Sequence, residues 1–433
     1  MAARVTMVVN NGMANDARVI KSAVTLRRAG AHVTVLGVAS AGAKGSRACA
    51  GGVVYERLPA LPGRGPNARY VAFAVRRRAG RLVPAERWAR SLPVTGLYAR
   101  SFVPALRASA PDAVHVHDVH LLDAVARAFP DRATRPAVVY DAHEYVASLA
   151  VSGARTQRAV DAWAALERDR IGIADRVVTV APEIAERLAR DHRLSRSPAV
   201  VYNAPVRWPQ AHSSLDLRGE AGVSTGTPLA VYSGALSRAR GLGTVIEALP
   251  RVPRLHLAIV AVPHPHPMSA ELMRQAAALG VADRVHIVPP VPSHEVPAYL
   301  AVADLGVSAI IGDSVSYDLA LPNKLFEMVH AGLTIVTSDI RAMSHFVLEH
   351  RLGEVFRQGD AQSCAVALRT ALERPAAATV DERDALAEEF SWQGQEPALV
   401  QVYRDLSDRR LVLGDLVVPT SAMAREDLTL EFA

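Results

Sequence analysis

Short apolar runs alternate with helical patterns along this chain, and the alternation starts again halfway. In the first series the runs that read as strands are residues 5–9, 33–37, 52–55, 113–117, 137–140, 177–180 and 199–202. In the second they are residues 229–233, 255–260, 285–288, 305–309 and 334–337. Runs this short, apolar and β-branched suit a parallel sheet covered on both faces by helices. Two series in tandem predict an α/β chain with two doubly wound units, whose ligand sites lie at the carboxyl ends of the strands. Residues 16–29 form the clearest helix. Asp16 suits the N-cap, Val19, Ala23 and Leu26 keep helical spacing, and Gly30 ends it. A stretch without periodicity lies between Pro205 and Pro228 and marks a boundary.

Composition removes several function classes. At 433 residues and 50% hydrophobic content the chain can fill two ordinary cores. Lys and Arg exceed Asp and Glu by 49 against 43, and aromatics are 5%. There is no dense basic stripe with interleaved aromatics, so the excess suits anionic ligands rather than nucleic acid. Cys49 and Cys364 have neither zinc nor disulfide spacing and read as apolar fillers. The amino-terminal residues run straight into a strand with no secretory pattern. No apolar run approaches the roughly 18–20 residues of a membrane span. A soluble cytoplasmic protein is expected. Arg76 to Arg90, with Phe73, Leu82 and Trp88, has the composition of an interfacial helix. Pro84 interrupts it, and a solvated face is the ordinary reading, so membrane association is the minor alternative.

Leu321-Pro322-Asn323-Lys324-Leu325-Phe326-Glu327-Met328-Val329-His330-Ala331-Gly332 has a legible start and stop. Pro322 suits the first helical position, where its missing N–H costs nothing, and Gly332 suits the left-handed stop. Asn323, Lys324 and Glu327 are three or four apart and share one face near the positive end of the helix. Free N–H groups there suit a phosphate. A carboxylate one turn deeper can accept from sugar hydroxyls. The ordinary alternative is a solvated Lys324–Glu327 pair, worth about 0.2–0.5 kcal/mol.

Four other loops carry candidate chemistry. Gly234-Ala235-Leu236-Ser237-Arg238-Ala239-Arg240-Gly241-Leu242 follows the first strand of the second series. Backbone can approach a phosphate at its glycines, and its arginines can neutralise phosphate oxygens. Alone, it is also an ordinary loop with exposed arginines. Val139-Tyr140-Asp141-Ala142-His143-Glu144 brings a histidine and a carboxylate to the end of a strand, as a ligand contact or a structural bond. Val114-His115-Val116-His117-Asp118-Val119-His120 places His115 and His117 on one strand face, as metal ligands would be. No third ligand site or Asp-x-Asp supports a metal, and none is expected. Asn10-Asn11-Gly12-Met13-Ala14-Asn15-Asp16-Ala17-Arg18 has a glycine that lets backbone approach a ligand. It is not a nicotinamide fingerprint.

Taken together and in this order, these segments resemble the family 4 retaining glycosyltransferases. Pro322 to Glu327 is similar to the family's nucleotide-sugar motif in its Pro-Asn-Lys-Leu-Phe-Glu variant. The segment from Gly234 to Gly241 resembles the family's Gly-x-x-x-x-x-Lys/Arg-Gly element, with Arg240 at the basic position. Asp141-Ala142-His143-Glu144 resembles its Asp-x-His-Glu segment, and Asp112 to Asp118 its Asp-ϕ-ϕ-His-x-His-Asp strand, where ϕ is apolar. Weaker echoes are Ala174 to Val180, Asn203, and Phe390-Ser391-Trp392 with Tyr403. The likeness spans about residues 4–407.

The resemblance implies a GT-B fold of two Rossmann-like domains facing across a cleft. Residues 1–205 would form the acceptor-binding domain, with a returning helix at about 393–410. Residues 206–392 would bind the nucleotide sugar; residues 411–433, beyond the likeness, change character and are read as an extension of unknown role, with packing on the first domain one option. It implies retaining, metal-independent transfer from a nucleoside-diphosphate sugar to a small polar or saccharide acceptor, with no cofactor. Secondary-metabolite or cell-envelope glycosides are the expected products. The carried-over catalytic residues are His143, Arg240 and Glu327. Donor contacts fall on Gly12, Gly234, Arg238, Arg240, Pro322, Asn323, Lys324, Leu325 and Glu327. Acceptor contacts fall on Asn15, Arg18, His117, Asp118 and Glu144. Two departures stand out. The family often has a second glutamate eight positions before Glu327, where this chain has Leu319, and its common Gly-Arg reads Gly234-Ala235 here. They keep open a catalytically weak or non-catalytic sugar-nucleotide binder on the same fold. An epimerase or a phosphorylase finds no local support.

Overall fold

A computed structural model describes residues 2–14, 16–39, 43–59, 93–151, 155–208, 212–312, 314–374, 378–421 and 423–432, with the side chains of 93–97 excepted. Asn15 and the basic stretch Arg76 to Arg90 lie outside the described residues. The chain folds as two compact units. One comprises Met1–Val201 and Glu396–Ala433, the other Tyr202–Gln395. The second division falls inside the helix Trp392–Arg404.

The first unit is built on β1 (Arg4–Val8), β2 (His32–Val38), β3 (Ser46–Ala50), β4 (Val53–Leu58), β5 (Ala113–His117), β6 (Ala137–Ala142), β7 (Arg176–Thr179) and β8 (Ala199–Val200). They are ordered β3-β4-β2-β1-β5-β6-β7-β8, and every pairing is parallel except β3 with β4. The reversal of order beside β1 opens the carboxyl ends of β1 and β5 as a ligand position. β5 and β6 are buried along their whole length, the polar His115, His117 and Asp141 included. Their register sets His117 beside Asp141. The helix Ala17–Arg28 follows β1, and the Asp16 side chain accepts from the amide of Val19 as its N-cap.

The second unit contains β9 (Leu229–Gly234), β10 (His256–Ala261), β11 (Val285–Val288), β12 (Leu305–Ser308), β13 (Thr334–Ser338) and β14 (Gly353–Phe356). The order is β11-β10-β9-β12-β13-β14 with all pairings parallel. The helix Asn323–His330 precedes β13 and buries Leu325, Phe326, Met328 and Val329. Phe326 stacks on Phe390 at 5.6 Å and meets Tyr202 and Phe346 edge-on at 5.5 and 5.8 Å. These aromatic contacts fix the rotation of the helix, so Asn323, Lys324 and Glu327 lie on its opposite, less buried side.

Two strands escape the sequence reading. β3 is a short antiparallel edge strand with mostly uncovered side chains, so it lacks an apolar run. β14 opens on Gly353, which has no room for a side chain against the backbone of Ile335. Pro322 is the N-cap residue in extended backbone, one position before its expected place. Gly332 has φ +67°, the left-handed stop its type predicts. No helix among the described residues is long and apolar enough to cross a membrane.

Candidate active site

In the second unit the site forms where β9 ends and the helix Asn323–His330 begins. Gly234 closes β9 at φ +136°, and the Lys324 side chain lies across it so closely that any Cβ would overlap Cε and Nζ. Gly241 is similarly pressed against the carbonyl of Ala309. The amide of Ile311 donates to the carbonyl of Ala239 at 2.8 Å, so the turn Arg238–Arg240 is clamped to the loop after β12. Arg240 is thereby held with its guanidinium carbon 5.9 Å from the Tyr317 ring centroid. It is also close enough to oppose the burial that pushes the Tyr232 hydroxyl up to about 12.

Neither Lys324 nor Arg240 is paired with a carboxylate among the described residues, so the solvated Lys324–Glu327 pair does not form. The amides of Asn323 and Lys324 begin the helix with no acceptor among those residues, whereas that of Leu325 donates to the carbonyl of Pro322 at 2.9 Å. Two cations, a helix amino end and a glycine-lined floor make a cradle for a polyanion. Glu327 is half-buried one turn further along. Two expected donor residues stand apart from this cradle. Arg238 is 86% exposed and turned to Glu271 at 3.2 Å. The Leu325 side chain is wholly buried in the core.

In the first unit the carboxyl ends of β5 and β6 hold a charged cluster around Asp141. Arg18 donates from Nε and Nη2 to the two carboxylate oxygens, both at 2.8 Å, and from Nη1 to the carbonyl of Val201 at 2.8 Å. Burial raises the Asp141 pKa, but Arg18 and then His143 outweigh it and hold the carboxyl well below the usual range. His115 and His117 stack 4.4 Å apart, and His115 Nδ1 is bonded to the Tyr403 hydroxyl at 2.7 Å. Burial lowers the pKa of both histidines, that of His117 the further, so both are neutral.

His143 is the cation of the group. Its Nε2 lies 3.0 Å from His117 Nδ1 and 3.5 Å from Asp141, and its Nδ1 lies 3.6 Å from Asp118. Burial opposes its charge, but Asp118 and Asp141 prevail and raise its pKa from 6.5 to about 9. Its Nε2–H therefore donates to a neutral His117. The side chain is 20% exposed, so the imidazolium reaches solvent at the strand ends. Asp118, beside it, has φ +65°, a strained backbone that aims its carboxylate at His143.

Two residues expected to meet the acceptor are buried: Arg18 is 2% exposed with all three nitrogens engaged, and His117 is wholly buried. They hold Asp141 and His143. Asp118 and the exposed Glu144 remain at the surface of the cluster, and Gly12 lies in the loop after β1. His115, His117 and Asp141 bring ligand atoms within 4.8 Å of one another, a set chemically suited to a metal. Arg18 already occupies both oxygens of Asp141, and a metal ion there would face a guanidinium. Sequence reasoning missed the central role of Asp141, although it sits in the same segment as His143. It also missed the bond between Asn10 Nδ2 and His120 Nδ1 at 3.0 Å, which joins residues 110 apart and leaves no local signal.

Solved structures share this fold. Sucrose-phosphate synthase from Thermosynechococcus elongatus is 18% identical with a TM-score of 0.72, covering 94% of this chain and 99% of that one. HepE from Anabaena, solved with UDP and glucose, is 18% identical with a TM-score of 0.65, covering 94% and 100%. The two Rossmann-like units are those of a GT-B glycosyltransferase. Residues 18–204 match the family described as Glycosyltransferase Family 4, and residues 227–374 the one described as Glycosyl transferases group 1. Glycogen synthase from Mycobacterium tuberculosis is 27% identical over 305 residues, 68% of each chain. The chain belongs to the family 4 glycosyltransferases.

Proposed function

We propose that this glycosyltransferase moves a sugar from a nucleoside diphosphate to a small polar or saccharide acceptor, with retention at the anomeric carbon and without a metal ion. The observation that carries the reading is Lys324 at the amino end of its helix, lying over Gly234, with Arg240 on the turn after β9 and neither cation paired with a carboxylate among the described residues. The bond from the anomeric carbon to the β-phosphate oxygen breaks, and the electron pair leaves with the diphosphate. Lys324, Arg240 and the free amides stabilise the charge that grows there, the task a metal would otherwise perform. The acceptor hydroxyl attacks from the same face, and its proton passes to the departing phosphate oxygen. Glu327 holds ribose hydroxyls. His143 supplies a fixed positive charge beside Asp118, and the Gly12 loop contacts the ligand through its backbone. Products in secondary-metabolite or cell-envelope glycoside synthesis fit this chemistry.

The buried Leu319 and the exposed Ala235 favour one second reading, a binder with little catalytic power. Purified protein incubated with UDP-glucose, the ligand family of the HepE structures, separates the two. Transfer predicts slow release of UDP by hydrolysis even without acceptor. Glu327→Ala and Arg240→Ala should each lower it at least about tenfold, the loss of roughly 1.4 kcal/mol of transition-state stabilisation. Binding without release supports the second reading, and no binding of any nucleotide or nucleotide sugar removes both.

A further inference from the structure

Residues 411–432 lie on the first unit and have no part in the site described above. They are firmly seated. Leu413, Leu416 and Met423 are buried, the amide of Val417 donates to the carbonyl of Ala29 at 3.0 Å, and Arg28 donates to the carbonyl of Ser421. Beyond the turn Glu426–Leu428 the segment reaches β4, where the Phe432 ring centroid lies 3.4 Å from the guanidinium carbon of Arg57. No carboxylate pairs with Arg57 among the described residues. Its Nε donates to the carbonyl of Gly12 at 2.9 Å. One guanidinium therefore joins Phe432 to the loop after β1.

Elsewhere that loop is held by β2 and, through Asn10, by His120. The amide of Val38 donates to the carbonyl of Asn11 at 2.9 Å, and Gly37 leaves space that a Cβ, 2.6 Å from that carbonyl, would take. Inside the loop Asn11 Oδ1 accepts from the amide of Met13 at 2.7 Å, and Met13 sits at φ +67°. Such a conformation persists only when its surroundings over-determine it. Arg57 adds the side-chain hold at Gly12 itself, and a guanidinium clamped by an aromatic face loses less freedom in doing so.

We propose that Phe432 and Arg57 are positioning residues, and that the 411–432 segment sets the Gly12 loop through them. The consequence for catalysis rests on the reading of that loop as a ligand contact, whereas the brace itself does not. Hydrogen exchange of the full chain tests the brace without any substrate. In Phe432→Ala and Arg57→Ala the amides of Met13 and Ala14 should exchange roughly three- to tenfold faster, the factor expected on losing one cation–aromatic contact. Peptides from β9–β14 should be unaltered, and Phe432→Trp should restore slow exchange. Wild-type exchange at Met13 and Ala14 in Phe432→Ala overturns the proposal. In a transfer assay the alanine variants should raise the KM for the nucleotide-sugar donor several-fold and leave kcat near wild type. Faster exchange with unaltered KM and kcat keeps the brace and removes the ligand role of the loop.

Discussion

The Lys324 side chain lies directly across the α-carbon of Gly234, although the two are 90 positions apart in the chain. One residue must be glycine so that the other can bring its ammonium to the end of β9. The relation ties the two halves of the anion cradle together.

Gly234→Ala should therefore act through Lys324. The methyl group displaces a flexible ammonium, and the positive φ adds strain of about 1–3 kcal/mol. Affinity for UDP in calorimetry should fall about tenfold or more in Gly234→Ala and in Lys324→Ala, the loss of one charge-assisted contact. The double variant should bind little worse than either single one, because both remove the same contact. Additive losses would show that Gly234 serves some other purpose.

His143 makes the pH behaviour distinctive. Its folded pKa of about 9 stands above its ordinary 6.5. Its contribution to stability is complete below 6.5 and disappears as pH rises through about 9. The gap in Tm between wild type and His143→Gln should be widest at pH 6 and narrow towards pH 10, at about 2–4 °C for each kcal/mol. A histidine Cε1–H resonance titrating near 6.5 would contradict the charged assignment.

Much of this site could be read from the chain because its parts are local. Pro322 to Gly332 carries its own start, stop and polar face, and Asp16 its own cap. The aromatic packing of Phe326 on Phe390 then turns that face outward. What escaped depends on distant partners. Nothing local in Asn10-Asn11-Gly12-Met13-Ala14-Asn15-Asp16-Ala17-Arg18 shows that Arg18 is buried against Asp141, 123 residues away. A helix arginine usually faces water, and only the register of β5 and β6 brings its acceptor beneath it. Arg238 and Arg240 are alike in sequence and differ because Glu271 captures one of them.

The Arg18–Asp141 pair predicts a stability cost with a signature of its own. Asp141→Asn leaves a buried guanidinium without its charge partner, a loss of about 3–5 kcal/mol. Arg18→Met combined with Asp141→Asn should cost less than the sum of the two, as a double-mutant cycle by denaturant unfolding would show. Because the folded pKa of Asp141 is depressed, its contribution is present above the ordinary carboxylate range and lost as pH falls through the folded value. Wild type should therefore lose its advantage over Asp141→Asn only in strong acid.

Leu319 sets the last test, because it stands where the family resemblance leads one to expect a second glutamate. It is 7% exposed at the end of the short helix Val315–Leu319, with Tyr317 and Asp318 half-buried before it. If the position were a vacated sugar contact, Leu319→Glu would restore it and tighten binding of a nucleotide sugar over the matching nucleotide. The burial argues otherwise. A carboxylate at this depth either ionises without a partner or stays protonated, and each costs about 2–4 kcal/mol. Leu319→Glu should lower Tm by roughly 5–15 °C and leave the ratio of UDP-glucose to UDP affinity unaltered. A stable variant with a raised ratio would show that the glutamate site is intact and that leucine merely occupies it.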